Sequence, residues 1–449
     1  MMEQGHIFLN FPQRVTGWYL FVMLAGYPLF TGPEGYIYLT EKKFIFFAVC
    51  TSLWFASLCV WNLGKREHRR IYVPDLLVAA FCLLAAAATM FGIYRSWVSM
   101  DTGRCDGLLT YLLYGCILIG VFHYGIPRYS YLWVLAISYS VMCVIAILQL
   151  CGYNPWELYP NQLCYYDPFV QEVSPFLGTL GNIDVFSAMH TLAIPVLAGG
   201  MFCEKMRARW CLLIPVTLGL ICVLWVRVAS GMAALFLTGL FLMPFVCSQC
   251  CPVGYSRRSA FLFGCLFCTG VFGLCMLWVY MGNWNSQTLL ELQKLLHGEV
   301  SDSFGSHRIQ IWKRTMEIIR DNPVLGIGPD NLGMKMDIVF ERYSEALEEW
   351  LANGVDNAHN EYLQYLASFG ILGTMPLAVL QGITWIGAAK KWRDSKVLRI
   401  LCPAMVCYQI QALFNIGLCF VSPLFFIAWA FVLKEVAQKS IKVTGKKEK

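Results

Sequence analysis

Apolar residues in this chain come in runs of about twenty, the length an α-helix needs to cross the ~30 Å hydrocarbon core of a bilayer, and no other feature of the sequence constrains the fold as strongly. A water-soluble helix alternates apolar and charged faces with a period near 3.6, and the first 281 residues show almost none of that striping. With 58% of 449 residues hydrophobic and 14% charged, the sequence specifies an all-α polytopic membrane protein. About twelve spans are expected, at residues 15–30, 44–63, 75–93, 108–125, 129–150, 184–203, 210–228, 229–247, 260–281, 360–388, 398–418 and 421–436.

Basic clusters set the orientation, because Lys and Arg beside short spans resist translocation. Lys65, Arg66, Arg69 and Arg70, then Lys205, Arg207 and Arg209, then Arg257 and Arg258, then Lys390, Lys391 and Arg393, and finally Lys446, Lys447 and Lys449 all fall on one side of a twelve-span count. That side is assigned to the cytoplasm, together with both termini. The net charge of +6 is then a topology signal, and nucleic acid is not an expected partner. The first apolar run leads into Thr31-Gly32-Pro33 without a small-residue cleavage site and is expected to be retained as span one. Most of the 20 cysteines lie inside spans, where Cys behaves as a small apolar residue. Cys247, Cys250 and Cys251 form at most half a zinc site, and no metal or other cofactor is called for. Cys105 and Cys164 both fall on the outer side, where a pairing is open.

The connections are short except for two, both outside the cytoplasm. The organisation expected is a membrane part at 1–281 with an outer loop at 151–183, a large extracytoplasmic loop at 282–358 between spans nine and ten, and a last part at 359–449 with spans ten to twelve and a basic tail. The first loop carries Trp156, Tyr159, Tyr165, Tyr166, Phe169 and Phe176 and ends in Gly178-Thr179-Leu180-Gly181-Asn182; such aromatics mark a membrane interface or stack on a sugar or lipid. In the second, a helix is predicted over 307–321 with Ser306 as N-cap and with Ile309, Trp312, Met316 and Ile319 on the buried face. Arg308 then lies at the margin of that face and Arg314 points to solvent. Asn322-Pro323 ends the helix, and Gly326-Ile327-Gly328-Pro329 makes a turn. A second, acidic helix is predicted around 340–351, with Glu341, Glu345, Glu348 and Glu349 solvated.

Two polar residues stand beside the spans. His359 follows Asp356-Asn357, which can cap the start of span ten, and Leu363, Leu366, Gly370, Gly373 and Leu377 would share its helical face, the glycines admitting a neighbouring helix. The positive end of the helix dipole favours the neutral imidazole, which can accept a proton; a cap or interface histidine is the structural alternative. Arg227 follows the apolar run 218–226, where a cation either faces a cavity or snorkels to the interface.

Taken together, Arg308-Ile309-Gln310-Ile311-Trp312, then Asn322-Pro323 and Gly326-Ile327-Gly328-Pro329, then His359-Asn360 followed after nine residues by Gly370-Ile371-Leu372-Gly373, resemble the O-antigen ligase family, the WaaL and Wzy type of bacterial membrane glycosyltransferase. The resemblance is specific over residues 306–373 and topological elsewhere. It implies a GT-C-like helical fold in the bacterial cytoplasmic membrane, an outward-facing active site, and transfer of a glycan from an undecaprenyl-diphosphate carrier to the sugar hydroxyl of a glycan or glycolipid acceptor. It also implies His359 as the catalytic group, Arg308 as a diphosphate ligand, and supporting roles for Asn360, Trp312, Gly326, Gly328, Gly370 and Gly373. Arginine suits a diphosphate because its planar donors stay charged, and with no metal cluster in the sequence the resemblance leaves charge stabilisation to arginine. Family members carry a second arginine in a Ser-Arg-Gly-like element near the start of span eight; here Ala229-Ser230-Gly231-Met232 stands there, and Arg227 is the candidate to replace it. A polymerase of the same family fits the same motifs. A transporter of lipid-linked glycans would instead place polar residues near the midplane of several spans, and a scaffold would leave the ordered motifs without a role.

Overall fold

The computed structural model describes residues 9–36, 38–64, 70–92, 95–98, 103–158, 178–203, 207–249, 251, 256–299, 301–302, 304–344 and 349–437. Its α-helices are α1 (Phe11–Ala25), α2 (Leu39–Leu63), α3 (Val73–Phe91), α4 (Leu108–Tyr124), α5 (Ser130–Leu150), α6 (Ile183–Cys203), α7 (Leu213–Val226), α8 (Ala229–Gln249), α9 (Arg257–Met281), α10 (Gln287–Leu296), α11 (Phe304–Asp321), α12 (Glu361–Lys391), α13 (Lys396–Ala412) and α14 (Ser422–Ala437). Local chemistry starts several of them. Asn10 and Gln13 form a capping box at α1, Asn182 Oδ1 accepts from the Asp184 and Val185 amides at α6, and Ser395 Oγ accepts from Leu398 N at α13.

A helix stands at each of the twelve expected spans. Among the described residues, eight helical segments are long and apolar enough to cross a membrane; α1, α4, α13 and α14 are shorter, at 15, 17, 17 and 16 residues. α14 is buried without a break from Ser422 to Leu433. A helix apolar all round and enclosed by others has no lipid face to match to the bilayer. It packs on α4, α12 and α13, while α13 packs on α6 and α12 on α3. α9 alone exposes Leu262, Phe263, Leu266, Phe267, Leu274, Leu277 and Trp278, an apolar face of a size that suits lipid and not water.

The 282–358 segment departs from expectation in three ways. The acidic helix predicted over 340–351 is an antiparallel hairpin, β1 (Val339–Ser344) with β2 (Glu349–Gly354), in the register Val339↔Gly354 to Ser344↔Glu349. Val339, Phe340, Tyr343, Trp350 and Leu351 are strand formers, and their preference prevails over the glutamates; Glu345 and Glu348 lie outside the described residues. The fold is thus helical with one small sheet, not wholly α. Second, α10 was not foreseen, although Leu289, Leu292 and Leu296 recur at helical spacing. Third, α11 buries Ile311, Thr315, Ile318 and Ile319, and Met316 is 52% exposed. Thr315 tolerates burial because its Oγ1 donates to Ile311 O at 2.8 Å, so a polar residue occupies the inner face that the apolar pattern placed elsewhere.

Other expectations meet the boundary of the described residues. Cys164, Cys250, Lys65, Arg66, Arg69, Lys205, the aromatics Tyr159, Tyr165, Tyr166, Phe169 and Phe176, and the basic tail lie outside them.

Candidate active site

The site is built on a backbone interlock between the Pro323–Gly328 turn and α12. α12 has 31 residues, about 46 Å at 1.5 Å per residue, longer than the ~30 Å hydrocarbon, so its first turns can stand beside the 282–358 segment. It breaks at Gly370, where φ is 62° and ψ −169°. In an unbroken helix Ala367 O and Ser368 O would accept from residues 371 and 372. Here they accept from Ile327 N at 2.9 Å and Gly328 N at 3.0 Å, while Ile371 N and Leu372 N donate to Pro323 O and Val324 O at 2.8 and 3.1 Å. The turn therefore replaces the bonds that the break removes, which buried irregular backbone requires. Gly326 (φ 69°) makes room: a Cβ there would lie 2.5 Å from Ala367 O. Gly370 thus admits a turn and not a neighbouring helix as expected; Gly373 does face α3, with Leu84 Cβ at van der Waals distance from an added Cβ. Gly328, at φ 91°, closes the turn.

This interlock fixes the start of α12 relative to α11. The helix begins at Glu361 with Asn360 as N-cap, its Oδ1 accepting from Tyr362 N at 3.0 Å and Leu363 N at 3.1 Å. His359 accordingly precedes the helix and does not occupy its first turn, so counting a helical face from it fails. Its own amide donates to Asn357 Oδ1 at 2.9 Å, and its φ of 47° is left-handed, a conformation that costs a non-glycine residue about 1–3 kcal/mol and persists only where surroundings enforce it. The ring is partly buried, and among the described residues its Nδ1 has no hydrogen-bond partner. Its pKa is pushed down to about 4, first by burial, then by the positive charges of Arg308 and Arg104, with Asp356 acting in the opposite sense. Burial and two arginines, in place of the helix dipole, favour the neutral imidazole.

Arg308 opens the regular part of α11, immediately after Gly305, Ser306 and His307, all left-handed. Ser306 belongs to that left-handed turn and is not the N-cap predicted for it. Arg308 Nε donates to Phe414 O at 3.0 Å and its Nη1 to Gly305 O at 2.8 Å, which leaves further donors of the guanidinium for a ligand. Trp312, one turn on, packs its ring 5.9 Å from that of Phe414. Arg314 is held by Glu317 and Asp337, so it belongs to the solvated side.

Sequence inspection missed Arg104. It forms a bidentate pair with Asp356, Nε to Oδ2 at 2.6 Å and Nη2 to Oδ1 at 2.7 Å, across 252 residues of chain. Asp356 is three residues before His359, so the pair ties the His359 loop to the α3–α4 connection. The one available signal was that Arg104 sits on the expected outer side, against the trend of the basic clusters. Arg308 and Arg104 also lie within Coulombic reach of Asp184 at the start of α6, whose carbonyl accepts from Asn415 Nδ2 at 3.2 Å. Nearby, Asp106 accepts from Tyr111 OH at 2.8 Å, and burial and the charge of Asp330 hold its carboxyl well above the usual range. Glu361 accepts from Tyr408 OH at 2.9 Å.

Arg227 is the left-handed C-cap of α7 and is exposed. Its backbone amide donates to Val223 O at 3.2 Å, but its guanidinium has no hydrogen bond or ion pair with the described residues, and His359 and Arg308 are not joined to it. The following stretch explains the missing arginine of the motif: Ser230 is 7% exposed, and Gly231 packs directly on Ser187 Oγ of α6, so a long side chain has no room at either position. Ser187 is one turn from Asp184, which places the α7–α8 junction at the same end of α6 as the two arginines.

A family model described as O-antigen ligase matches residues 187–378, from the first turns of α6 to the middle of α12, and so covers Arg227, Arg308, His359, Gly370 and Gly373. Comparison with curated proteins finds no match.

Proposed function

We propose that this chain, matched over residues 187–378 by a family model described as O-antigen ligase, transfers a glycan from an undecaprenyl-diphosphate carrier to a sugar hydroxyl of a glycan or glycolipid acceptor, on the outer side of the bacterial cytoplasmic membrane. The observation that carries this is a neutral imidazole on a strained loop with two guanidinium groups acting on it, Arg308 and Arg104. In the proposed step the acceptor oxygen attacks the anomeric carbon, the bond to the carrier diphosphate breaks, and the diphosphate leaves with both electrons. His359 takes the proton of the attacking hydroxyl. Arg308 meets the charge that grows on the leaving diphosphate. Arg104 adds charge while Asp356 holds it against the His359 loop, and Arg227 is proposed as a further contact from the α7–α8 junction.

The test is a reconstituted reaction with lipid-linked donor and acceptor in vesicles, scored for a new glycosidic bond; donor crossing the bilayer without one would support transport in its place. Within that assay Arg308→Ala is expected to weaken donor binding about 10–100-fold, the loss of charged hydrogen bonds worth about 1.5–3 kcal/mol. Arg227→Ala is expected to weaken it as well, and unchanged binding in either variant removes that arginine from the diphosphate site.

A pH dependence follows from the same electrostatics. His359 acts in its neutral form, so kcat/KM, which reports the free enzyme, is expected to hold as pH drops past 6.5 and to fall near pH 4, the position of its lowered pKa. Bound diphosphate offsets the two arginines that depress the imidazole, so the acid limb of kcat should lie at higher pH than that of kcat/KM. Coincident limbs would mean that donor and histidine do not share one field.

A further inference from the structure

At the other end of α12 from His359, the first residues of α9 and the α12–α13 connection enclose a pocket of about 690 Å³ lined by four arginines, Arg257, Arg258, Arg393 and Arg399, together with Phe245 and Trp392. None of the four pairs with a carboxylate of the described residues. Four uncompensated guanidinium groups around one cavity repel one another and call for an anion. Two donors reinforce this: Arg399 Nε and Trp392 Nε1 are shielded from solvent and have no hydrogen-bond partner among the described residues, a state that buried polar groups avoid unless something else satisfies them.

A second cavity adjoins the first. It has about 540 Å³, shares Phe245, Trp392 and Arg393 with the basic pocket, and continues between α8, α12 and α13 past Phe241, Leu242, Trp385 and Val406. Both volumes fall in the ~300–1,000 Å³ range of small-molecule sites. Phe245 stands between them, its ring 6.0 Å from that of Trp392 and 5.3 Å from that of Phe261. A charged chamber opening into an apolar slot within a helical bundle matches a molecule with a phosphate at one end and a hydrocarbon chain at the other. Basic pockets between membrane helices on the cytoplasmic side take up anionic lipid headgroups by this arrangement.

We infer that the α8–α9–α12–α13 face holds an anionic phospholipid of the cytoplasmic leaflet, its phosphate among Arg257, Arg258, Arg393 and Arg399 and one acyl chain in the adjoining apolar slot. This site is separate from the glycan-transfer site and does not depend on that activity. The lipid braces the cytoplasmic end of α12, the helix whose other end presents His359.

The full-length protein in neutral detergent is titrated with cardiolipin or phosphatidylglycerol, with phosphatidylcholine, and with inorganic phosphate, and is followed by thermal unfolding and native mass spectrometry. Anionic lipid is expected to remain bound and to raise the unfolding temperature by a few degrees, with phosphatidylcholine and inorganic phosphate having little effect. Arg257→Gln/Arg258→Gln, a pair of exposed positions that leave the fold intact, should weaken retention about tenfold or more, and Arg399→Gln should do the same. An equal shift with phosphatidylcholine means a generic apolar face, an equal shift with inorganic phosphate means a soluble-anion site, and undiminished retention in the variants means binding elsewhere; each overturns the inference.

Discussion

His359→Ala is expected to lower the proposed glycan transfer about 10²–10⁴-fold, the range of a lost general base, in a protein that should still insert into the membrane and still bind the proposed lipid-linked donor. Insertion should survive because the imidazole contributes little to the fold: its Nδ1 has no hydrogen-bond partner among the described residues, and the loop is held by its backbone, through Asn357 and Asn360, and by the Arg104–Asp356 pair. Donor binding should survive because the cations proposed to hold the donor are on other elements. The left-handed φ of 47° gives the experiment a second arm. His359→Asn keeps a residue that accepts that conformation but offers no base near neutral pH, so it should match the alanine variant in activity and equal or exceed it in thermal stability. Full transfer by either variant sinks the proposed role.

The parts of the fold legible in the sequence are those set by the bilayer. Twelve apolar runs gave twelve helix positions because a span must satisfy its own backbone and expose apolar side chains, and both demands are visible residue by residue. The site was legible only where a motif is local. Arg308, the Gly326–Gly328 turn and His359 lie within 52 residues of each other, and their order carries the resemblance. Arg104 lies 252 residues from Asp356, and no short-range pattern reports a pairing of that separation. Helical phase in the 282–358 segment failed for a different reason. α11 carries apolar residues round much of its circumference, and which of them face inward is decided by docking to α12 and the turn, not by the strip itself. The β-hairpin is not legible from the glutamate pattern because the aromatic and branched strand formers of that segment decide its outcome.

Gly370→Ala is expected to disrupt folding outright, a loss above ~4 kcal/mol of the kind reserved for backbone positions that admit one residue only. Two costs add. At φ 62° and ψ −169° the backbone lies in a region essentially confined to glycine, and a Cβ would lie 2.6 Å from Gly326 N, inside the interlock whose four exchanged hydrogen bonds join the turn to α12. The turn cannot retreat without unpairing Ile371 N and Leu372 N and, in a buried setting, Ile327 N and Gly328 N, where each unsatisfied group costs about 1–3 kcal/mol. Gly326→Ala meets the same wall from the other side, with Ala367 O at 2.5 Å. Gly382 in the same helix is the control: nothing lies within 4 Å of its added Cβ, so Gly382→Ala should be neutral or stabilising by up to ~1 kcal/mol. Yield of monodisperse protein and unfolding temperature in detergent separate the cases. A Gly370→Ala protein as stable as Gly382→Ala would show that the turn can withdraw from α12, and the placement of Arg308 against His359 would then need another support.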